Sequence, residues 1–84
     1  MKGTIYKINA RNGFVAVKTE GGFTIIELLG SDPIDLEDEV SWQVHGDPPL
    51  GGAQLINHTQ REAYTVYFQN HHVSERGLSA QLGC

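Results

Sequence analysis

Residues 2–19 read Lys-Gly-Thr-Ile-Tyr-Lys-Ile-Asn-Ala-Arg-Asn-Gly-Phe-Val-Ala-Val-Lys-Thr. Two runs rich in β-branched and aromatic residues, Lys2 to Asn9 and Phe14 to Thr19, flank Asn12-Gly13, a pair that tolerates positive φ and marks a hairpin turn. In the second run Val15, Val17 and Thr19 alternate with Phe14, Ala16 and Lys18, so the valine face is expected in the core. Gly21-Gly22 supplies the next turn and Phe23 to Leu29 a third strand. The three strands form a meander.

Working outward, the pattern changes at Gly30 to Glu39, where Ser31, Asp32 and Pro33 end the strand and an acidic connection follows. A single helical turn fits there, but no amphipathic period is long enough for a helix. Val40, Trp42 and Val44 alternate with Ser41, Gln43 and His45, giving a fourth strand with Trp42 inward as core filling. Pro48-Pro49 and Gly51-Gly52 form loops, because proline cannot donate to a ladder. A short strand over Ala53 to Asn57 is followed by the longest alternating segment, Arg61 to Val73. Residues 75–84 are small and polar and read as a flexible tail behind a single domain spanning 1–74.

At 84 residues the chain holds one small domain, and such a chain buries only about 60% of its unfolded surface. One open sheet would leave an apolar face uncovered, whereas closure buries one face of every strand and hides most edges. The expected fold is therefore all-β: a small five-stranded OB-fold-like barrel with an additional C-terminal strand. An SH3-like barrel is the alternative on pattern alone. Cys84 is the only cysteine, which excludes an internal disulfide or a cysteine-based metal site and fits a reducing compartment. With neither a signal-peptide pattern nor a lipidation motif, and with the apolar run Phe23 to Leu29 interrupted by Glu27, the expected location is cytoplasmic, off the membrane.

Several motifs then resemble the bacterial cold-shock domain. Lys2-Gly3-Thr4-Ile5, Ile8-Asn9 and Asn12-Gly13-Phe14-Val15-Ala16-Val17 look like that family's opening strands, and Val40-Ser41-Trp42-Gln43-Val44 resembles its fourth. Gly51-Gly52-Ala53 with Asn57 loosely matches its closing motif, so the likeness covers about residues 1–57. The resemblance implies an OB-fold that stacks unpaired bases on exposed aromatic residues of the first three strands. Most of those aromatics are replaced here: the family's stacking Trp falls on Lys7, and its two Phe fall on Phe14 and Ala16. The second motif falls on Thr24-Ile25-Ile26-Glu27-Leu28, so its exposed Phe becomes Ile25 and its His becomes Glu27. Each stack is worth roughly 1–3 kcal/mol, so binding in this mode would be weak. Tyr6, beside Lys7, substitutes in part.

The net charge of −4 conceals a division. Lys2, Lys7, Arg11 and Lys18 lie in a first stretch of 18 residues without an acid, while Asp32 to Glu39 carries five acids in eight positions. The expected nucleic-acid-binding set is Tyr6, Lys7, Arg11, Phe14, Lys18 and Ile25, where a phosphate backbone would pass; the alternative is that these are ordinary solvated strand charges. Tyr64, Tyr67 and Phe68 belong to a segment too apolar for a free tail, which either completes the barrel or meets a second copy or another protein. The expected function is a non-catalytic binding module for single-stranded RNA or DNA, the alternative a protein-interaction or homo-oligomerisation module. Catalytic, metal and cofactor sites are not expected. Of His45, His58, His71 and His72, the adjacent pair would point to opposite faces of a regular strand, and no P-loop, HExxH or EF-hand pattern occurs.

Overall fold

The computed structural model describes residues 1–30, 32–43 and 50–83. Within them the turn signals divide the chain into β1 (Lys2–Asn9), β2 (Phe14–Thr19), β3 (Gly22–Leu28), β4 (Glu39–Ser41), β5 (Gly51–Asn57) and β6 (Glu62–Val73). A 3-10 turn (Glu75–Gly77) and a short helix α1 (Leu78–Leu82) follow. The fourth strand is shorter than the alternation implies, ending at Ser41 with Trp42 buried just beyond it, while Val44, His45 and Pro48-Pro49 lie outside the described residues.

The strands close in the order β1-β2-β3-β6-β5-β4, every neighbouring pair antiparallel. This is a six-stranded all-β barrel of the small OB-fold-like kind, and β6 is the extra strand, inserted between β3 and β5. The segment after residue 57 thus completes the barrel rather than extending an open edge, which removes the pairing hazard of a twelve-residue strand. The β1–β2 connection spans Ala10 to Gly13, closed by Gly13 N–H donating to the Asn9 carbonyl at 2.9 Å. Only Gly13 takes the left-handed conformation (φ 77°); Asn12 instead accepts the Phe14 amide on its side-chain oxygen.

Alternation fills the interior. Ile5, Val15, Val17, Ile26, Val40, Trp42, Leu55, Tyr64, Val66 and Phe68 form the inner core, each large side chain removed from water contributing about 1.5–3 kcal/mol. The expected valine face of β2 is therefore inward. One barrel end is closed by a polar knot: Asp38 accepts from Asn57 Nδ2 (2.9 Å), Gln60 Nε2 (3.1 Å) and the Asp35 amide (2.9 Å). Tyr64 accepts from the same Asn57 nitrogen and donates to the Pro33 carbonyl at 3.0 Å. The acidic connection, which contains a turn at Leu36–Glu37 and among its described residues no helix, is held to the β5–β6 turn by this knot.

A second apolar cluster lies on the outside of the barrel. Ala16, Phe23, Ile25 and Val73 are covered by Leu78 and Leu82, with Phe14 packed at the margin. Residues 75–83 are thus docked on the outer face of β2 and β3, contrary to the expected flexible tail; Cys84 lies outside the described residues. The leucines, one helical turn apart, share a face and supply the anchor that a small polar composition conceals.

Candidate functional site

Strand register fixes which residues share the outer face of β1–β3. Lys7, Ala16 and Ile25 form one cross-strand row, Asn9, Phe14 and Glu27 a second, and Thr4, Lys18 and Phe23 a third. A register shift between Ile5 and Lys7 places a bulge at Tyr6, which leaves Tyr6 44% exposed with its ring 4.9 Å from that of Phe23. Its hydroxyl donates to Glu75 Oε1 at 3.4 Å. Bulges re-aim side chains in this way.

Of the residues expected to meet nucleic acid, Tyr6, Lys7, Arg11 and Lys18 are exposed. Phe14 is half-buried. Ile25 is not available at all: it is fully buried, because Leu78 and Leu82 pack over the row that contains it. The tail is clamped there by Asn9 Nδ2 and Asn12 Nδ2, which both donate to the Leu82 carbonyl, at 2.7 and 3.0 Å. Gly83 adopts φ 76° as the helix C-cap, a left-handed conformation suited to glycine.

Phe23 belongs to this face and the sequence reading omitted it. The signal was present, since Phe23 stands two residues before Ile25 and four before Glu27 on a period-two strand. Among the described residues no ion pair involves Lys2, Lys7, Arg11 or Lys18. Arg11 sits in the β1–β2 turn, Lys7 in mid-strand, and Lys2 and Lys18 beside an open cleft of about 600 Å³ at the far end. That cleft also carries Glu20, Glu39, Ser41 and His58. Ser41 Oγ and His58 Nε2 lie 2.7 Å apart in an exposed position; no hydrogen bond of the described structure orients the other ring nitrogen, as a base serving a nucleophile requires.

The other expected interface divides. Phe68 and Tyr64 point inward and are buried, Phe68 against Trp42 with ring centroids 5.5 Å apart. They are core residues, which corrects their placement at a protein interface. Burial holds the Tyr64 phenol above its ordinary value; the Asn57 hydrogen bond opposes this, and the carboxylates of Asp32, Asp38 and Glu62 add to it. Tyr67 alone of the three is outward, 43% exposed, on a stretch of β5–β6 whose outward residues Gly52, Gln54, Ile56, Thr65 and Gln69 carry no charge. Its register partner on β3, Glu27, accepts from Gln69 Nε2 at 2.9 Å.

The histidine pair departs from regular strand geometry. His72 has φ 56°, so β6 is irregular there and the rings of His71 and His72 stand 6.5 Å apart. His71 Nδ1 is 3.0 Å from Thr24 Oγ1, and its ring stacks on Phe68. Among the described residues no three His, Cys, Asp or Glu gather in a metal-ligating group, and no helix is long and apolar enough to cross a membrane. Comparison of the chain with family models, with curated proteins and with solved structures gives no match, and the structure supports an OB-fold-like barrel without support for the cold-shock family itself.

Proposed function

We propose that the protein is a non-catalytic binding module that takes single-stranded RNA or DNA along the outer side of β1 and β2. The observation that carries this reading is the row of cations. Arg11, Lys7, Lys18 and Lys2 follow the length of the hairpin, no acid lies between residues 2 and 19, and among the described residues none of the four is neutralised by a carboxylate. Unpaired cations along an edge are what a phosphate backbone displaces its counterions for. Tyr6 supplies an accessible ring beside Lys7, a platform for one base.

The same geometry sets the strength. With Ile25 buried and Phe14 half-covered, electrostatics dominates and affinity belongs to the sequence-independent class, a Kd on the order of 1–100 μM at physiological salt. The test is fluorescence anisotropy of labelled oligo(dT) or oligo(U), twelve nucleotides long, titrated with protein. Engagement of three or four phosphates makes affinity fall about 20- to 50-fold between 50 and 200 mM salt, at a slope of about 0.7 per phosphate on a single strand. Lys7→Glu weakens binding at low salt by about tenfold or more. An anisotropy that stays flat at 20 mM salt with 100 μM protein refutes the reading.

A further inference from the structure

The barrel is complete at Val73. Its inner core draws on β1 to β6, Trp42 and Ile34 and takes nothing from residues 74–83. That segment forms a separate outer cluster instead, resting on two leucines, the Asn9 and Asn12 clamp on the Leu82 carbonyl and the Tyr6 contact to Glu75. A helix of five residues is far below the length that is stable in isolation, so α1 is ordered by what it docks on. An element of this kind opens at the low-cost end of a protein's local fluctuations, and the barrel can stay closed while it does.

What it covers has a definite chemistry. Phe14 and Phe23 both lie on the outer face of the meander, Phe14 half-buried at the margin of the helix and Phe23 buried beneath the Tyr6 ring and the tail. Lys18 is the register neighbour of Phe23, and Lys7 stands in the row between the two rings, while the register neighbours of Phe14 itself are Asn9 and Glu27. Aromatic faces with cations among them are the composition that binds unpaired bases, a ring to stack and a charge for the adjoining phosphate. Leu78 and Leu82 occupy that space in the closed structure.

We propose that residues 74–83 are an autoinhibitory cap: docked, they hold the module in a weakly binding form, and their release exposes Phe14 and Phe23 as a stacking platform for single-stranded nucleic acid. The proposal rests on the reading above, with the cations and Tyr6 binding in both forms and Phe14 and Phe23 stacking only in the open one. Ligand and cap therefore compete, and by linkage a bound single strand must favour the open tail.

The test uses the full chain with Leu78→Ser and Leu82→Ser together, the labelled oligo(dT) probe, and hydrogen exchange of the amides in 75–83. The expected result is rapid exchange of those amides, unchanged emission from Trp42 in the inner core, and affinity raised tenfold or more; adding Phe23→Ala to this variant abolishes the gain. Should the double-serine chain fail to fold, Asn9→Ser with Asn12→Ser, which removes both amide donors to the Leu82 carbonyl and leaves a hydroxyl at each position to accept the Arg11 and Phe14 amides that the asparagine oxygens hold, raises affinity threefold or more. A variant that opens its tail yet binds no more tightly than the parent overturns the cap and leaves the weak binding standing. If neither parent nor opened variant binds the probe at low salt, the nucleic-acid reading itself is overturned, and the cap with it.

Discussion

Asn57 is the residue on which the closed end of the barrel turns, and replacing it with alanine gives a sharp test of how this fold is held. Its side chain is fully buried, with Nδ2 donating to Asp38 Oδ2 at 2.9 Å and to Tyr64 Oη at 3.2 Å, while Oδ1 accepts the Gln60 amide at 3.0 Å. A hydrogen bond to a charged group contributes about 1.5–3 kcal/mol and a neutral one about 0.5–1.5, and partners left behind in a buried site add their own desolvation. The three bonds share atoms and do not simply add, so the cost of Asn57→Ala is about 3 kcal/mol. In a domain this size that lowers Tm by about 12 to 24 °C, read from the emission of Trp42 or by circular dichroism. The pH dependence separates a hydrogen-bonding effect from a packing one. Burial raises the Asp38 carboxyl, but the hydrogen bonds from Asn57, the Asp35 amide and Gln60 outweigh it and hold the group below the ordinary 3.8. A carboxyl depressed in the folded state contributes stability above its unfolded value and loses it as pH falls through the folded one. The parent therefore draws on this term at neutral pH and loses it below about pH 4, whereas the variant has already lost the largest of the three hydrogen bonds behind it and keeps those from the Asp35 amide and Gln60. The gap in stability between them is widest near pH 7 and narrows toward pH 3. A cost below 1 kcal/mol at pH 7, or a gap that stays constant on acidification, refutes the reasoning.

Two further perturbations check other parts of the fold. A Cβ on Gly3 would stand 2.5 Å from the Lys18 carbonyl oxygen and 2.7 Å from Val17 Cγ1, so Gly3→Ala forces β1 from β2 and costs about 2 kcal/mol in a denaturant melt; Gly52→Ala, with nothing within 4 Å, is the control and costs under 1. Equal effects at the two glycines contradict the β1–β2 packing. The Tyr64 phenol is held above 10.0 by burial, so its contribution is present below the ordinary value and is lost as pH rises through the folded one. Urea melts between pH 9 and 11 therefore show the parent weakening at the alkaline end, and Tyr64→Phe, lower at pH 9, flattens that decline; parallel curves for the two proteins refute the assignment.

The strands were legible because period-two alternation and glycine turns are local signals. Val15 and Val17 facing inward, the meander of β1 to β3 and the span of β6 follow from neighbours in sequence alone. The alternation even separates Tyr64, Val66 and Phe68 from Thr65, Tyr67 and Gln69; what it lacks is which of those faces is inside, and that is decided by β6 entering between β3 and β5. The tail was missed for a related reason. Five helical residues offer no period to recognise, and the anchors Leu78 and Leu82 acquire meaning only from Ala16, Phe23 and Ile25, more than 50 residues earlier, which receive them. The bulge at Tyr6 and the positive φ of His72 likewise belong to the geometry of closure, which composition does not record.

The basic hairpin and the covered face also bear on why the aromatic surface is so reduced. Ala16 and Ile25 occupy the places where the resemblance implies exposed phenylalanines, and both lie under Leu78 and Leu82. A phenylalanine at position 16 would fill the seat of the helix, because Ala16 is already fully buried without one. A docked tail and a full aromatic platform thus exclude each other, and the replacements that weaken the likeness to a base-stacking surface are those that make room for the cap. The rings that remain, Tyr6, Phe14 and Phe23, surround that footprint, Tyr6 next to Lys7, Phe23 beside Lys18 and Phe14 between Asn9 and Glu27. A face arranged in this way offers its charges and the Tyr6 ring at all times, and Phe14 and Phe23 as a stacking platform only when the tail leaves, so ionic strength should govern binding of the closed form and further stacking should enter with opening.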